Sequence, residues 1–333
     1  MPPRSLRRVI IDALWLPIAI AFGVLLAMVL LIGVLLAPFS RERRLLRVAA
    51  LAGVYLCIDV GLVLRSFGFW LRHPSPRRDL RQWREWHAAL LGRALARLMS
   101  ASRRLCGYQV ELVGRPVVLD PSRPLIVLAR HAGPGDSFTL VHLLITRYQR
   151  RPRVVLKAAL QWDPGLDVVL TRLACYFLPS RSGAGEDLPA AVGAMAGGLQ
   201  AGESLLVFPE GGNWTPRRHR RAVIQLLRKG RRKRAQAVRD RTHVLPPRPG
   251  GTVASLIACQ DADVLVVAHC GLDTLVNPMQ IWRAIPFDDR PMRIRSWLYR
   301  ADSVPRDEAA ATQWLDDRWA EIDRWIYSQR TAS

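Results

Sequence analysis

The order of apolar runs predicts an α/β fold. Its expected core is a mixed, largely parallel sheet covered by helices, preceded by an N-terminal membrane-embedded helical segment. Three observations carry this. From Tyr108 onward short apolar runs alternate with helical ones. Most of the short runs are continuously apolar, the pattern of strands buried on both faces. Before residue 72 the chain holds two long stretches with almost no charge.

Taken in order, Val9 to Phe39 is apolar but for Asp12, and exceeds the ~20 residues that span a bilayer. It is too long for the apolar core of a signal peptide. A second run, Val48 to Leu71, contains Asp59 and Arg65. An ionised side chain at mid-bilayer costs roughly 2.5–3.5 kcal/mol, so these two are expected at an interface or against the other helix. Residues 1–72 are therefore expected to be an anchor of two helices or a hairpin. Basic residues flank both runs, so charge alone does not fix the number of crossings.

Residues 73–107 are expected to connect the anchor to the next domain. Within Arg77 to Arg104, Leu80, Trp83, His87, Leu90, Leu91, Ala94, Leu95 and Leu98 recur at helical spacing. Such a helix either packs on the domain or lies on lipid headgroups. Residues 108–333 are expected to form the α/β domain. Its strand runs are Gln109–Val113, Leu125–Ala129, Val154–Leu156, Tyr176–Leu178, Leu205–Phe208, Val264–Ala268 and Arg293–Leu298. A helix opens at Asp307-Glu308, with Trp314, Leu315, Trp319, Ile322, Trp325 and Ile326 in one stripe; acids in its first turn suit the helix dipole.

The formal net charge is +22, from 49 Lys+Arg against 27 Asp+Glu. That implies an anionic partner: a phospholipid surface, anionic small molecules or nucleic acid. Arg217 to Arg241 concentrates the charge, with twelve Lys/Arg and one acid. No nucleic-acid motif accompanies it, and no specific nucleic acid is expected. An amphipathic basic helix against anionic membrane lipid is the favoured reading, with a contribution to holding the phosphates of coenzyme A as a second use. The five cysteines are odd in number and without C-x-x-C spacing, which fits reduced structural thiols. Histidines and cysteines lack metal-ligand spacing, so neither metal nor cofactor is expected.

Two stretches carry chemistry. The strand run Leu125–Ala129 ends at Arg130-His131, followed by Gly133-Pro134-Gly135 and Asp136. On a continuous helix His131 and Asp136 would point about 140° apart. The Gly-Pro-Gly break lets the chain fold back, so the carboxylate can reach the imidazole. A carboxylate so placed fixes the tautomer of a histidine base and stabilises the imidazolium. N–H groups at the following helix start suit an anion. The second stretch, Ser204 to Phe208, leads into Pro209-Glu210-Gly211-Gly212.

Together, His131-x4-Asp136 and Phe208-Pro209-Glu210-Gly211 resemble the glycerophospholipid acyltransferase superfamily, and within it the lysophosphatidic acid acyltransferase family. The resemblance extends over roughly Leu119 to Trp325. The run His243-Val-Leu-Pro-Pro-Arg248 resembles a branch with a His-Val-Leu-x-Pro-Arg segment. The resemblance implies that His131 is the base and Asp136 its orienting acid. It implies that Glu210, with Gly211, binds the acceptor or organises the site. Arg181, closing Tyr176-Phe-Leu-Pro-Ser, is the candidate for the acceptor phosphate; Lys157 and Arg248 are further candidates. Two departures stand out. Gly212-Asn213 replaces the usual threonine followed by arginine or another polar residue, putting a phosphate contact credited to that arginine in doubt, and Arg130 replaces asparagine, either adding charge beside the acceptor or pointing away. His269 is expected to be a satisfied core or rim histidine.

The implied activity is transfer of a fatty acyl group from acyl-CoA or acyl-ACP, as co-substrate, to the sn-2 hydroxyl of 1-acyl-sn-glycerol 3-phosphate (lysophosphatidic acid). Phosphatidic acid would be the product, made at the cell membrane by a domain on the cytoplasmic face. Two alternatives stay open. One is the same chemistry on another lysophospholipid or acyl-glycolipid. The other is a non-catalytic, membrane-tethered binder of anionic lipid or nucleic acid. Acyl-chain length and oligomeric state are not encoded legibly.

Overall fold

Apolar runs bounded by proline and glycine set the element order, and the computed structural model describes it for residues 4–73, 79–178 and 187–331. The elements are α1 (Arg4–Leu36), α2 (Arg44–Arg72), α3 (Leu80–Cys106), β1 (Val110–Val113), β2 (Leu125–Ala129), α4 (Asp136–Thr146), β3 (Arg151–Lys157), α5 (Pro164–Arg172), β4 (Tyr176–Leu178), α6 (Leu188–Gly197), β5 (Glu203–Val207), α7 (Pro216–Arg228), α8 (Arg232–Asp240), α9 (Pro249–Ala258), β6 (Asp263–Cys270), α10 (Pro278–Ala284), β7 (Met292–Tyr299) and α11 (Glu308–Thr331). All seven expected strands are present, each within three residues of its expected bounds.

The chain divides into two compact units, each discontinuous in sequence. The first comprises residues 1–109, 141–184 and 282–289. Leu14–Phe39 and Arg44–Arg72 are both long and apolar enough to cross a membrane. The acid within α2 sits at an interface, as expected, facing Trp15 of α1 on one side and the start of α5 on the other. Asp59 accepts the Gly165 backbone N–H at 2.7 Å, at the start of α5. A Cβ at position 165 would sit 2.2 Å from that carboxylate, so only glycine allows the contact. Tyr55 adds a hydrogen bond to Asp163, the residue that caps α5.

Helix α3 starts where Asp79 accepts the Gln82 N–H at 2.8 Å, and stops at Gly107, whose φ of +69° suits a helix end. Its face of Trp83, His87, Leu90, Leu91, Leu95 and Leu98 is buried against α2 and α5. Of the two readings of this helix, packing is the one observed. Leu80, expected in the stripe, is instead half exposed. Phe69 of α2 stacks on Trp86 at 4.1 Å, worth about 1 kcal/mol beyond burial. In the same unit β3 and β4 pair in parallel.

The second unit comprises residues 110–140, 185–281 and 290–333. Its strands form a sheet in the order β1-β7-β6-β2-β5. Only the β6–β7 pair is antiparallel. Leu125 of β2 is level with Ser204 of β5 and Asp263 of β6. These three strands are buried at every residue, including the polar Glu203 and Ser204 of β5 and Asp263 and His269 of β6. Helices α6 and α9 pack closely through small residues: Cβ atoms at Gly193 and Gly197 would lie about 3.5 Å from Ala254 and Ala258. Helix α11 packs on α9 and β6 and buries Leu315, Trp319, Ile322, Trp325 and Ile326. Its tryptophan stripe is thus core. Trp314 is only half buried, set against Tyr299 at 5.2 Å.

The basic run 217–241 is two helices, not the single one expected. Gly230 is the cause. It turns at φ +70°, donates to Leu227 at 3.0 Å, and lets Arg231 donate to Leu226 at 2.9 Å. Those two bonds close α7 as a Schellman turn.

Candidate active site

In a parallel sheet the strand carboxyl ends lie on one side, and ligand sites form there. In the second unit His131 follows β2, Glu210 follows β5, and His269 lies near the end of β6. Register therefore brings three chemistry-bearing positions to one edge.

The turn after β2 folds as its glycines allow. Gly133 has φ +86° and Gly135 φ +79°. A Cβ on Gly133 would lie 2.7 Å from the Leu272 carbonyl oxygen. This bend brings Asp136 Oδ2 to 2.6 Å from His131 Nδ1. The same carboxylate accepts the N–H of Ala132 at 2.9 Å and, through Oδ1, that of Ser137 at 2.5 Å. These N–H groups are taken by Asp136, so the start of α4 secures its own acid instead of offering them to a substrate. Burial opposes ionisation of Asp136, but hydrogen bonds from His131 and His269 outweigh it and hold its carboxyl well below the usual range. An ionised acid on Nδ1 directs the His131 proton to that nitrogen, leaving Nε2 to accept one. The His131 side chain is 19% exposed, enough for a reacting group to reach it.

The Phe208-Pro209-Glu210 corner holds the imidazole from the other side. The rings of Phe208 and His131 lie 4.6 Å apart, and the Trp214 N–H donates to the His131 carbonyl at 2.9 Å. Glu210 itself is 2% exposed. It accepts the Leu245 N–H at 3.1 Å, the Trp319 indole N–H at 3.3 Å and the backbone N–H of His131. Burial raises its carboxyl to about 7, with Arg130 and these donors offsetting only part of the cost. These surroundings suit the organising use expected for Glu210.

Arg130 points away from any substrate. It is fully buried and donates to the His269 carbonyl at 2.7 Å, the His243 carbonyl at 2.5 Å and Asp273 at 3.0 Å. Arg330 of α11 joins Asp273 at 2.8 Å. His269 Nε2 lies 3.1 Å from the Arg130 carbonyl and 3.6 Å from Asp136. It is the satisfied core histidine expected, yet it also backs the Asp136 carboxylate. His243 donates its N–H to Asp323 at 2.7 Å. Asp273, Asp323 and Trp319 carried no motif. Asp323 did, however, face the tryptophan stripe of a helix whose other side was polar.

The remaining candidates separate. Arg248 does lie at the Pro-Glu-Gly corner. Its backbone N–H donates to Pro209 at 2.8 Å, and its guanidinium lies over Gly211, 3.2 Å from where a Cβ would be. Gly212 is likewise covered by an arginine, Arg218, at 2.6 Å from its Cβ position. Arg218 also donates to the Asn213 carbonyl at 2.9 Å. The glycine that departs from the usual motif thus makes room for a guanidinium from α7. Lys157 is exposed at the end of β3 in the first unit, and Arg181 lies outside the described residues. Among the described residues no group of His, Cys, Asp and Glu is arranged to hold a metal ion.

Residues 110–250 match the Acyltransferase family model, a span that contains both motif corners. The chain carries an acyltransferase domain. The match bears out the resemblance to the glycerophospholipid acyltransferase superfamily. No curated protein matches the sequence. Among solved structures, the acyltransferase fold is similar to the crystal structure of PlsC, the 1-acyl-sn-glycerophosphate (LPA) acyltransferase from Thermotoga maritima. The TM-score is 0.55 at 16% identity, covering 86% of this chain and 98% of that one. At that identity the likeness is one of fold. It includes the mixed, mostly parallel sheet and its helices.

Proposed function

We propose that this acyltransferase moves a fatty acyl group from a thioester, acyl-CoA or acyl-ACP, to the sn-2 hydroxyl of 1-acyl-sn-glycerol 3-phosphate. The His131–Asp136 contact at 2.6 Å carries the reading. His131 Nε2 takes the proton of the sn-2 hydroxyl as its oxygen attacks the thioester carbonyl. The tetrahedral intermediate collapses, the C–S bond breaks, and the imidazolium returns its proton to the leaving thiolate. Phosphatidate and a free thiol result. A thioester is already activated, so no acyl-enzyme is required, and the chain has no G-x-S-x-G sequence to supply one.

Asp136 orients the imidazole and balances its charge. Glu210 holds the His131 backbone, and Gly211 makes room for the Arg248 guanidinium. Arg181, Lys157 and Arg248 are proposed to meet phosphate groups of the substrates. The two long apolar helices support association with the membrane, and we place the catalytic domain at the cytoplasmic face of the cell membrane.

The test is acyl transfer from labelled oleoyl-CoA to a panel of acceptors by purified wild type and His131→Ala. Labelled phosphatidate from wild type, with none above background from the folded variant, is expected. Product only with another lysophospholipid or an acyl-glycolipid would move the acceptor assignment. Full turnover by His131→Ala would end the mechanism.

A further inference from the structure

The second unit's sheet ends at β1, and that edge is incomplete. Strand β1 pairs with β7 only from Met292 to Arg295, whereas β7 runs on to Tyr299. Gly114, at φ +95°, turns the chain out of the sheet after Val113, and Pro116 has no N–H with which to rejoin it. On its other side β7 stays paired with β6, Ser296 level with Val267 and Tyr299 with Val264. In an antiparallel pair alternate residues turn their N–H and C=O groups away from the partner strand. Between Ser296 and Tyr299 those groups face the lane that β1 has left. Among the described residues nothing bonds them there.

A cavity of about 500 Å³ occupies that lane, with Gly114 to Val118 on one side and Arg295 to Leu298 on the other. Burial follows the gap. Strand β7 alternates buried and half-buried from Met292 to Arg295, then is half-buried at every residue from Ser296 to Tyr299. That stretch is about 13 Å of edge at ~3.3 Å per residue, the length of one short strand. Val117, Val118 and Leu298 give the slot apolar walls, and Val118 is 78% exposed. Arg115 and Arg295 give it charge. Among the described residues neither arginine has a carboxylate within salt-bridge distance. Arg295 lies instead over the Trp297 ring at 4.9 Å, and Trp297 is backed by Trp325 of α11 at 6.1 Å, so this wall is fixed.

We infer that this slot docks an extended peptide segment of another protein, acidic at alternate residues and apolar between them, which adds a strand beside β7. Backbone bonds to the open edge supply affinity, and the walls select side chains. The two arginines select acids through charge-assisted hydrogen bonds. A second copy of this chain fits less well. Its formal net charge is +22, and its own exposed edge strand β1 leads into Arg115, so like charges meet at the slot. The slot lies at the amino end of β6, where Tyr299 is level with Val264, whereas His269 lies at the carboxyl end with the catalytic corners. Docking there holds a partner on the acyltransferase domain without entering the site of acyl transfer.

The probe is a fluorescein-labelled Val-Glu-Val-Glu-Val peptide, titrated into the full chain in detergent and followed by anisotropy. Hydrogen exchange is read on the same samples. Saturable binding is expected, with slowed exchange of the amides between Ser296 and Tyr299. Replacing the central valine of the peptide by proline, or both glutamates by lysine, should weaken binding about tenfold. Arg115→Gln and Arg295→Gln should each weaken it about threefold to tenfold. Both variants should keep wild-type acyl transfer, which shows that they are folded. No saturation below about 1 mM would overturn the docking site. Equal binding by the proline-interrupted peptide would also overturn it, reducing the contact to charge attraction. Protection of the same amides on self-association, without peptide, would overturn the partner and assign the slot to a second copy.

Discussion

Two carboxylates stand at neighbouring strand ends, and their surroundings treat them in opposite ways. Asp136 follows β2 and meets imidazoles, His131 at 2.6 Å and His269 at 3.6 Å, so its charge is favoured despite burial. Glu210 follows β5 and is hydrogen-bonded only by neutral donors, two backbone N–H groups and an indole; with Arg130 they offset only part of the burial cost, and its carboxyl rises to about 7. The lesson is that an acid in a site is defined by what donates to it. The first stays charged beside an imidazole. The second is built to hold backbone in place.

The largest effects should fall on the first corner. His131→Ala and Asp136→Asn should each lower kcat by about 10²–10⁴, with the histidine variant still folded but losing about 1–3 kcal/mol as Asp136 gives up that donor. Equal activity in Asp136→Asn would show that the pairing is not used.

Next comes the cation between the corners. Arg130→Met leaves the carbonyls of His243 and His269 without that donor and Asp273 with only Arg330. Breaking a buried pair from one side costs about 3–5 kcal/mol, which thermal unfolding in detergent would read as a large drop. A neutral outcome would mean that the corners are independently held.

The comparison sharpens with pH. Glu210 has its folded value raised from 4.5 to about 7, so its ionisation is penalised only in the folded state. Stability is untouched below pH 4.5, falls as pH rises from there, and levels off near 7, for a total of roughly 3 kcal/mol at most. Asp136 has the opposite sign: its contribution is present above the ordinary carboxylate value of 3.8 and is lost as pH falls below it. Unfolding midpoints from pH 4 to 8 should therefore lose their neutral-side slope in Glu210→Gln and keep it in Asp136→Asn. The smallest effect is expected from Trp319→Phe, about 1–2 kcal/mol for one bond to a buried acid and its packing. That variant should retain most activity, measured as kcat.

Much of this comparison was legible in the primary structure, but unevenly. The runs of β2, β5 and β6 announce buried strands because a sheet covered on both faces leaves no polar alternation. The Gly-Pro-Gly bend announces that His131 and Asp136 can meet, because no helix would permit it. Glu210 was legible as a site residue but not as a buried one, since its donors Leu245 and Trp319 lie 35 and 109 residues away. Arg130 beside the histidine could add charge beside the acceptor or point away, and the local order did not choose. Its burial follows from the register of β2 with β6, which sets it against Val267 and the His269 carbonyl. The split of the basic run hinged on Gly230, whose left-handed turn ends a helix that charge and periodicity alone would have continued.

By itself the amino-acid order determined what depends on neighbours a few residues apart: strand and helix runs, two spans of membrane length, a histidine and acid joined by a bend, and a strongly cationic chain. Only the tertiary structure decided which acid is charged and where Arg130 points. Those outcomes depend on burial and on partners distant in sequence, and desolvation and Coulomb attraction act through space rather than along the chain.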